Sequence, residues 1–248
     1  MHVQAQKSNV WLPLGVCQDL VCAQSSRYYG NMSLSYGQTQ HSVRNREQFL
    51  HELGIDHEQL VCLKQVHGSS IQHATGAMRG RGALHYDTAL DSTDGLITNE
   101  SSVPLVVLTA DCLSVFIYDR KTPAIGLVHA GWRSSRECIV KKAIALMQER
   151  FATDVKMLLV AFGTCLQQCC YEVKTEFLDF FPKQVTKRNQ SYFFDLAAVN
   201  KFQLQEAGVP VENIIDSGSC TGCLSEDCFS FRKEGSSCGR MMSVMMLR

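Results

Sequence analysis

Residues 105–134 read LVVLTADCLSVFIYDRKTPAIGLVHAGWRS, and this stretch constrains the fold more than any other. Its apolar runs at 106–108, 115–118 and 124–128 are short and rich in β-branched, aromatic or aliphatic side chains, which predicts buried strands. The polar residues stand where those runs stop. Asp111 and Cys112 lie between the first two runs and His129 ends the third, so side chains with chemistry emerge at strand ends, where pockets form.

A second histidine, His67 in KQVHGSS, follows another apolar run at 60–63 and precedes a glycine. Catalytic zinc sites hold three protein ligands and keep the fourth position for water or substrate. His67, Cys112 and His129 make such a set. Spacing alone leaves a plainer reading open, in which a buried cysteine is a small hydrophobe and each histidine an ordinary strand-end residue.

The wording around these residues narrows the choice. QVHG (65–68), ADC (110–112) and HAGWR (129–133) resemble the three signature boxes of the laccase-domain family, also called YfiH-like or multicopper polyphenol oxidase, whose members include purine nucleoside phosphorylases. The likeness continues in order through GNMSLSYGQ and VRNREQFL in 30–50, TDGLIT at 93–98, CYEV at 170–173, and FDLAAVNKFQL, AGV, CT and FSFRKEGSSCGR between 194 and 240. It implies a laccase domain over 25–248 with 1–24 as an N-terminal segment of the same domain. The implied fold is mixed α/β (α+β), with layered sheets enclosed by helices. The implied chemistry is zinc-dependent phosphorolysis of adenosine, inosine and methylthioadenosine, together with adenosine deamination. Where the family has ADC-x-P, HAGWRG, G-P and Y-R-R, this chain has Ser114, Ser134, Gly163-Thr164 and Phe231-Arg232-Lys233. None of these departures removes a ligand. They bear on the pocket rim and, through Lys233, on a contact with the substrate anion.

A zinc ion on His67, Cys112 and His129 would polarise a substrate atom or lower the pKa of bound water towards ~7. Asp111 is a candidate general acid or base, or an orienter of its neighbour; a simple turn residue is the alternative. Arg46 and Arg232 are candidate phosphate or substrate clamps, since a planar guanidinium suits an oxyanion. Arg133, beside the start of a helix, would join its amides in holding an anion or else cap another part of the fold. A copper oxidoreductase is the competing class, because two histidines and a cysteine also serve blue copper. Against it, the chain has eight histidines and no H-x-H pair. The H-x-E and P-C-x-x-C signature of the zinc nucleobase deaminases is missing too.

Acidic and basic residues balance at 24 each, which favours neither nucleic acid nor an anionic membrane and leaves a small molecule, here a purine nucleoside and phosphate, as the expected partner. Nothing in the sequence fixes the oligomeric state. Twelve cysteines would be a disulfide framework in a short secreted chain, but here they are irregularly spaced in a chain of ordinary length. The apolar run at 10–16 is broken by Pro13 and followed by Asp19, a poor leader, and no segment reaches the ~20 apolar residues of a membrane span. A reducing cytoplasm is therefore expected. Cys220-x-x-Cys223, with Cys228 and Cys238 behind it, is either a structural metal site, a redox pair or a set of incidental thiols.

Helices are predicted over 42–53 with Gly54 as stop, after a capping box of Ser134 and Glu137 with Ile139, Ala143 and Leu146 on one face, after CYEV, and from an Asp195 N-cap to Gly208. A further strand is expected over 155–162 with a turn at Gly163. The glycine-rich segment 76–92 reads as a surface loop, with a lid as the sharper alternative.

Overall fold

The computed structural model describes residues 10–15 and 18–248; the rest of the N-terminal segment and the end of its apolar run lie outside the described residues. Two sheets form the centre. The larger has the order β12-β8-β6-β7-β4-β3, comprising Ile214–Ile215, Leu158–Phe162, Leu113–Asp119, Ala124–Ala130, Gly95–Thr98 and Ile71–His73. The smaller has the order β1-β2-β13-β5, comprising Val10–Trp11, Leu20–Ser25, Met241–Leu247 and Leu105–Thr109.

Period-two alternation assigns each strand two apolar faces, so the sheets cannot stand alone. On β5, Leu105 and Val107 join the core between the sheets while Val106 faces the opposite side. On β13, Met245 and Leu247 point inward and Met242, Val244 and Met246 outward. The larger sheet answers with Phe116, Leu127 and Ala161 inward, and Val115, Ile117, Val128 and Val160 on its far face. Helix α1 (Thr39–His51) covers the smaller sheet through Phe49 and Leu50. Helices α3 (Ile139–Phe151) and α5 (Leu196–Glu206) cover the larger. The result is four layers, helix, sheet, sheet, helix, as expected of sheets enclosed by helices. A small sheet of β9 (Glu172–Val173), β10 (Val185–Arg188) and β11 (Ser191–Phe194) flanks it.

A polar seam joins the two sheets at one end. The Gln24 amide donates to Thr109 and Ser114 hydroxyls at 3.4 Å, accepts from the Thr164 amide at 2.9 Å, and Ser243 meets Ser114 at 2.9 Å. Ser114, where the family has proline, thus supplies a hydroxyl to that seam.

The predicted strands at 106–108, 115–118 and 124–128 all form, each slightly longer than its apolar run. Other boundaries move. Helix α1 starts before residue 42, from an extended Gln38, and Gly54 at φ +68° follows its end. Residues 60–63 make only isolated bridges, Val61 to Leu105 and Leu63 to Leu90. The strand expected from 155 begins at Leu158, because Asp154 caps a 3-10 turn over Val155–Met157 by accepting from the Lys156 amide. After HAGW the helix is split into α2 (Trp132–Arg136) and α3, with Cys138 left-handed at φ +57° between them. The helix after CYEV is a single turn, α4 (Phe177–Phe180). Asp195 does cap α5, accepting from the Ala198 amide at 2.8 Å. No helix among the described residues is long and apolar enough to cross a membrane.

Candidate metal centre

Strand register brings the three boxes to one end of the larger sheet. Antiparallel pairing sets Ser114 of β6 against His129 of β7, so Cys112, just before β6, and His129, near the end of β7, are neighbours. Gly95 of β4 pairs with Val128, which puts Asp94 beside His129. Ile71 of β3 pairs in parallel with Gly95, which delivers the His67 loop to the same place.

Asp94, fully buried, ties these strand ends together. Its Oδ1 accepts from His129 Nδ1 at 2.8 Å and from the His67 amide at 3.0 Å. Its Oδ2 accepts from the Val66 and Gly68 amides at 3.1 and 2.8 Å. His67 is left-handed at φ +58°, a turn that lets successive amides converge on one anion. Burial alone would raise the Asp94 carboxyl, but His129 and the loop amides outweigh it and hold it below the usual carboxylate range. A carboxylate behind a ligating histidine fixes its tautomer and ring orientation. Sequence reasoning read TDGLIT only as a family box and missed Asp94, whose partners lie 26 to 35 residues away.

With Nδ1 held by Asp94, His129 keeps Nε2 for the cavity. The donor atoms of His67, Cys112 and His129 lie within 4.8 Å of one another, with Cys112 Sγ 4.0 Å from His67 Nδ1. Burial would push the Cys112 thiol up, yet the charge and hydrogen bonds of His129 and His67 bring it down to about 6. His129, which burial would lower, is raised to about 9 by the Cys112 thiolate and Asp94. Near neutrality the pair is thiolate and imidazolium, and a thiolate is the ligating form of cysteine.

The space between these donors is built in. A Cβ on Gly131 would stand 3.0 Å from His67 Nδ1 and 3.1 Å from Cys112 Sγ, although Gly131 has an ordinary φ of −84°. The glycine of HAGWR is therefore required by the gap and not by its backbone. Three soft or borderline donors around a kept gap fit a metal ion. Gly131→Ala is expected to cut metal affinity by about 10-fold or more, the scale seen when the surroundings of a metal site are disturbed, while leaving the fold intact; competition against a chromophoric chelator measures the first and circular dichroism the second.

The donors open into a cavity of about 460 Å³ that is also lined by Asp111, Arg133, Tyr171, Arg232 and Arg240. Arg133 lies 4.4 Å over the Trp132 ring. Arg232 and Arg240 are fixed by backbone carbonyls, Glu172 at 2.6 Å and Cys238 at 2.6 Å. Arg240, the last residue of FSFRKEGSSCGR, is a rim cation that sequence reasoning did not single out; Lys233 does not line the cavity. Asp111, at φ +86°, spends both carboxylate oxygens within the chain, accepting from Thr221 Oγ1 and from the Arg232 amide, each at 2.6 Å.

Two expectations change. Arg46 does not line this cavity. It is buried, and its guanidinium donates to the carbonyls of Met32 at 2.8 Å, Gly82 at 3.0 Å and Ala83 at 2.8 Å, so it holds segment 76–92 to α1. That segment packs Ala83, Ala89 and Leu90 into the core and sends Tyr86 to the cavity wall. Ser134 is not an N-cap. It sits at the third position of α2, whose N-cap is Gly131, and its hydroxyl accepts from the Gly131 amide at 2.8 Å. Of the amides expected to hold an anion after Ser134, those of Ser135 and Glu137 already donate within the helix, to the Gly131 carbonyl at 2.8 Å and the Arg133 carbonyl at 3.2 Å.

The family model described as multi-copper polyphenol oxidoreductase laccase matches residues 22–248. The chain belongs to that laccase family. Among relatives of this laccase-family chain, purine nucleoside phosphorylase YlmD of Geobacillus stearothermophilus is 35% identical over 226 residues, 87% of this chain and 82% of that protein. Adenosine deaminase RL5, from an unknown prokaryotic organism, is 31% identical over 198 residues, 76% of this chain and 75% of that protein. The crystal structure of YlmD from Geobacillus stearothermophilus superposes with a TM-score of 0.91 at 31% identity, covering 98% of both chains. That of Bacillus licheniformis YfiH gives 0.89 at 28% identity, over 92% of this chain and 93% of that one. The layered α/β fold is thus the one these laccase-family structures share.

Proposed function

We propose that the chain is a zinc-dependent purine nucleoside phosphorylase that takes adenosine, inosine and methylthioadenosine with phosphate, and that also deaminates adenosine. The observation that carries this reading is a three-donor set, His67, Cys112 and His129, braced by Asp94 at the wall of a cavity rimmed with arginines. Relatives named as purine nucleoside phosphorylase and adenosine deaminase at 35% and 31% identity support it. When bound, zinc would supply Lewis-acid polarisation of a substrate atom and lower the pKa of water.

The chain's own residues do the rest. Arg133, Arg232 and Arg240 provide guanidinium forks for phosphate, whose oxygen attacks the anomeric carbon while the N-glycosidic bond breaks and its electrons leave with the purine. Tyr171 and Phe231, both lining the cavity, offer flat apolar surfaces for the base. Asp111 is a positioning residue in this reading, because its carboxylate anchors the amide of Arg232. For deamination, water attacks the purine carbon that bears the amino group; the new C–O bond replaces the C–N bond, a water proton goes to the departing nitrogen, which leaves as ammonia, and the N-glycosidic bond stays intact. The cysteines found free suit a reducing cytoplasm.

Copper-dependent polyphenol oxidation is the reading that the family's description suggests. Among the described residues the two converging ligand groups contain only His67 and His129 as histidines, which is poor provision for several coppers. The deciding experiment incubates zinc-loaded protein with adenosine, with and without phosphate, and separates the products by chromatography. Adenine that forms only with phosphate supports phosphorolysis, and inosine in both supports deamination. Neither product above background, together with copper-dependent phenol oxidation, would overturn the proposal.

A further inference from the structure

The Cys220-x-x-Cys223 pair does not pair with the cysteines that follow it in sequence. Cys228 and Cys238 pack with Phe229 and Met241 in a small apolar cluster. Instead, the segment after β8 runs beside the one that carries CxxC, with the backbones of Cys165 and Cys220 paired in an isolated parallel β-bridge and the Thr221 amide donating to the Cys165 carbonyl at 2.9 Å. Two tight turns then face each other. In one, the Cys170 amide donates to the Gln167 carbonyl at 3.0 Å; in the other, the Cys223 amide donates to the Cys220 carbonyl at 3.1 Å. The sulfurs of Cys169, Cys170, Cys220 and Cys223 consequently lie within 4.8 Å of one another.

The separations discriminate between a bonded pair and a shared ion. Cys223 Sγ is 3.6 Å from Cys169 Sγ and 3.5 Å from Cys170 Sγ, whereas a disulfide is ~2.05 Å long. Four thiolates at the ~2.3 Å bond length of zinc stand about 3.8 Å apart along the edges of a tetrahedron. Gly222, inside the CxxC turn, leaves room, since a Cβ there would be 3.0 Å from Cys170 Cβ and 3.1 Å from Cys170 Sγ. The Gln167 amide donates to Cys220 Sγ at 3.4 Å, the kind of contact that steadies a ligating thiolate. Cys169 and Cys223 are exposed, so an ion can enter from solvent.

We propose that Cys169, Cys170, Cys220 and Cys223 form a second metal site, a closed tetrathiolate for zinc or an ion of similar softness. Four protein ligands leave no position for substrate, so the site is structural. Its place gives it a task. Thr221 donates to Asp111 Oδ1 at 2.6 Å and the Leu166 amide to the Asp111 carbonyl at 2.9 Å, and Asp111 immediately precedes Cys112. An ion here clamps together the two segments that seat the first donor set. Binding expels thiol protons to solvent and needs no oxidant.

The proposal is independent of the nucleoside reading and is tested with metal alone. Reduced, chelator-stripped protein is titrated with Co²⁺ and followed by visible absorption, for the native chain, for Cys112→Ala, and for the double variant Cys169→Ser, Cys223→Ser. The native chain is expected to take up two ions. Cys112→Ala is expected to keep one ion with the intense absorption of a tetrahedral cobalt tetrathiolate, and the double variant to lose that contribution and keep only the weaker single-thiolate absorption of the first site. Should the double variant fail to fold, Cys223→His keeps four ligands and is expected to bind with a shifted spectrum. Loss of all cobalt–thiolate absorption in Cys112→Ala would overturn the proposal. So would a double variant identical to the native chain, or a native chain in which thiol counting finds these cysteines oxidised and unable to bind cobalt.

Discussion

Replacing Cys112 with alanine is expected to lower turnover of adenosine by about 10³-fold, since Lewis-acid stabilisation worth several kcal/mol is at stake and each 1.36 kcal/mol is tenfold in rate. The fold should hold. Cys112 lies ahead of β6 and lines the cavity; His129 loses the sulfur as a partner but keeps its bond to Asp94 at 2.8 Å and lines the cavity itself, where water can take the vacated place. Activity with saturating zinc, set beside a thermal melt, checks both halves; unchanged turnover would sink the metal mechanism. The same pair of side chains sets a pH signature. Metal requires the Cys112 thiolate and an unprotonated His129 Nε2, and these groups titrate about 6 and about 9. Between those values the ion displaces the His129 proton. As pH falls through about 6 it must displace the Cys112 proton as well, so affinity drops more steeply; above about 9 neither proton competes. Calorimetric titration in buffers of different ionisation enthalpy counts the protons.

Asp94→Asn is expected to weaken metal binding by about 10- to 100-fold, the range found for partners that orient a ligating histidine. The reason is donor count. Asp94 accepts from His129 Nδ1 and the amides of Val66, His67 and Gly68, and an asparagine must turn its own NH2 against one side of that set. A buried donor left unsatisfied costs about 1–3 kcal/mol, so stability should fall by a similar amount in urea denaturation. A variant with native affinity and native stability would remove Asp94 from the centre. The linkage has a definite sign. Because folding depresses the Asp94 carboxyl, its contribution is present above the ordinary carboxylate pKa near ~3.9 and is lost as pH falls through the lowered folded value, and the asparagine variant should show less of that acid sensitivity.

Patterns that are local in sequence were legible. The apolar runs at 106–108, 115–118 and 124–128 have the length and branching of strands, and Asp195 followed by LAAVN reads as a capped helix; both are set by neighbours a few residues away. The donors His67, Cys112 and His129 were legible only because QVHG, ADC and HAGWR are distinctive wordings. What escaped was decided by contacts between distant residues. Asp94 looks like any turn aspartate until β4 is set beside β7. Arg46 looks like an anion clamp until its carbonyl partners, up to 37 residues away, are assembled around it. Ser134 fits a capping box by spacing, but Gly131 already begins the helix and Cys138 breaks it. Cys220 and Cys223 lie close in sequence to Cys228 and Cys238, while their neighbours in space, Cys169 and Cys170, lie 54 and 53 residues before Cys223.

The strand at Met241–Leu247 has a bearing on timing. It is hydrogen-bonded between β2 and β5, and it comes later in the chain than every residue that lines the cavity. A growing polypeptide therefore carries the whole donor set before the strand that fills the gap in the smaller sheet has been made. Pairing Ser243 with Gln24 closes a very long loop, a feature of slow-folding topologies. Until β13 is seated, β2 and β5 have no strand between them, so the smaller sheet, and with it the Gln24 and Ser243 seam to Ser114 at the donor end of the larger sheet, is the part of the fold completed last.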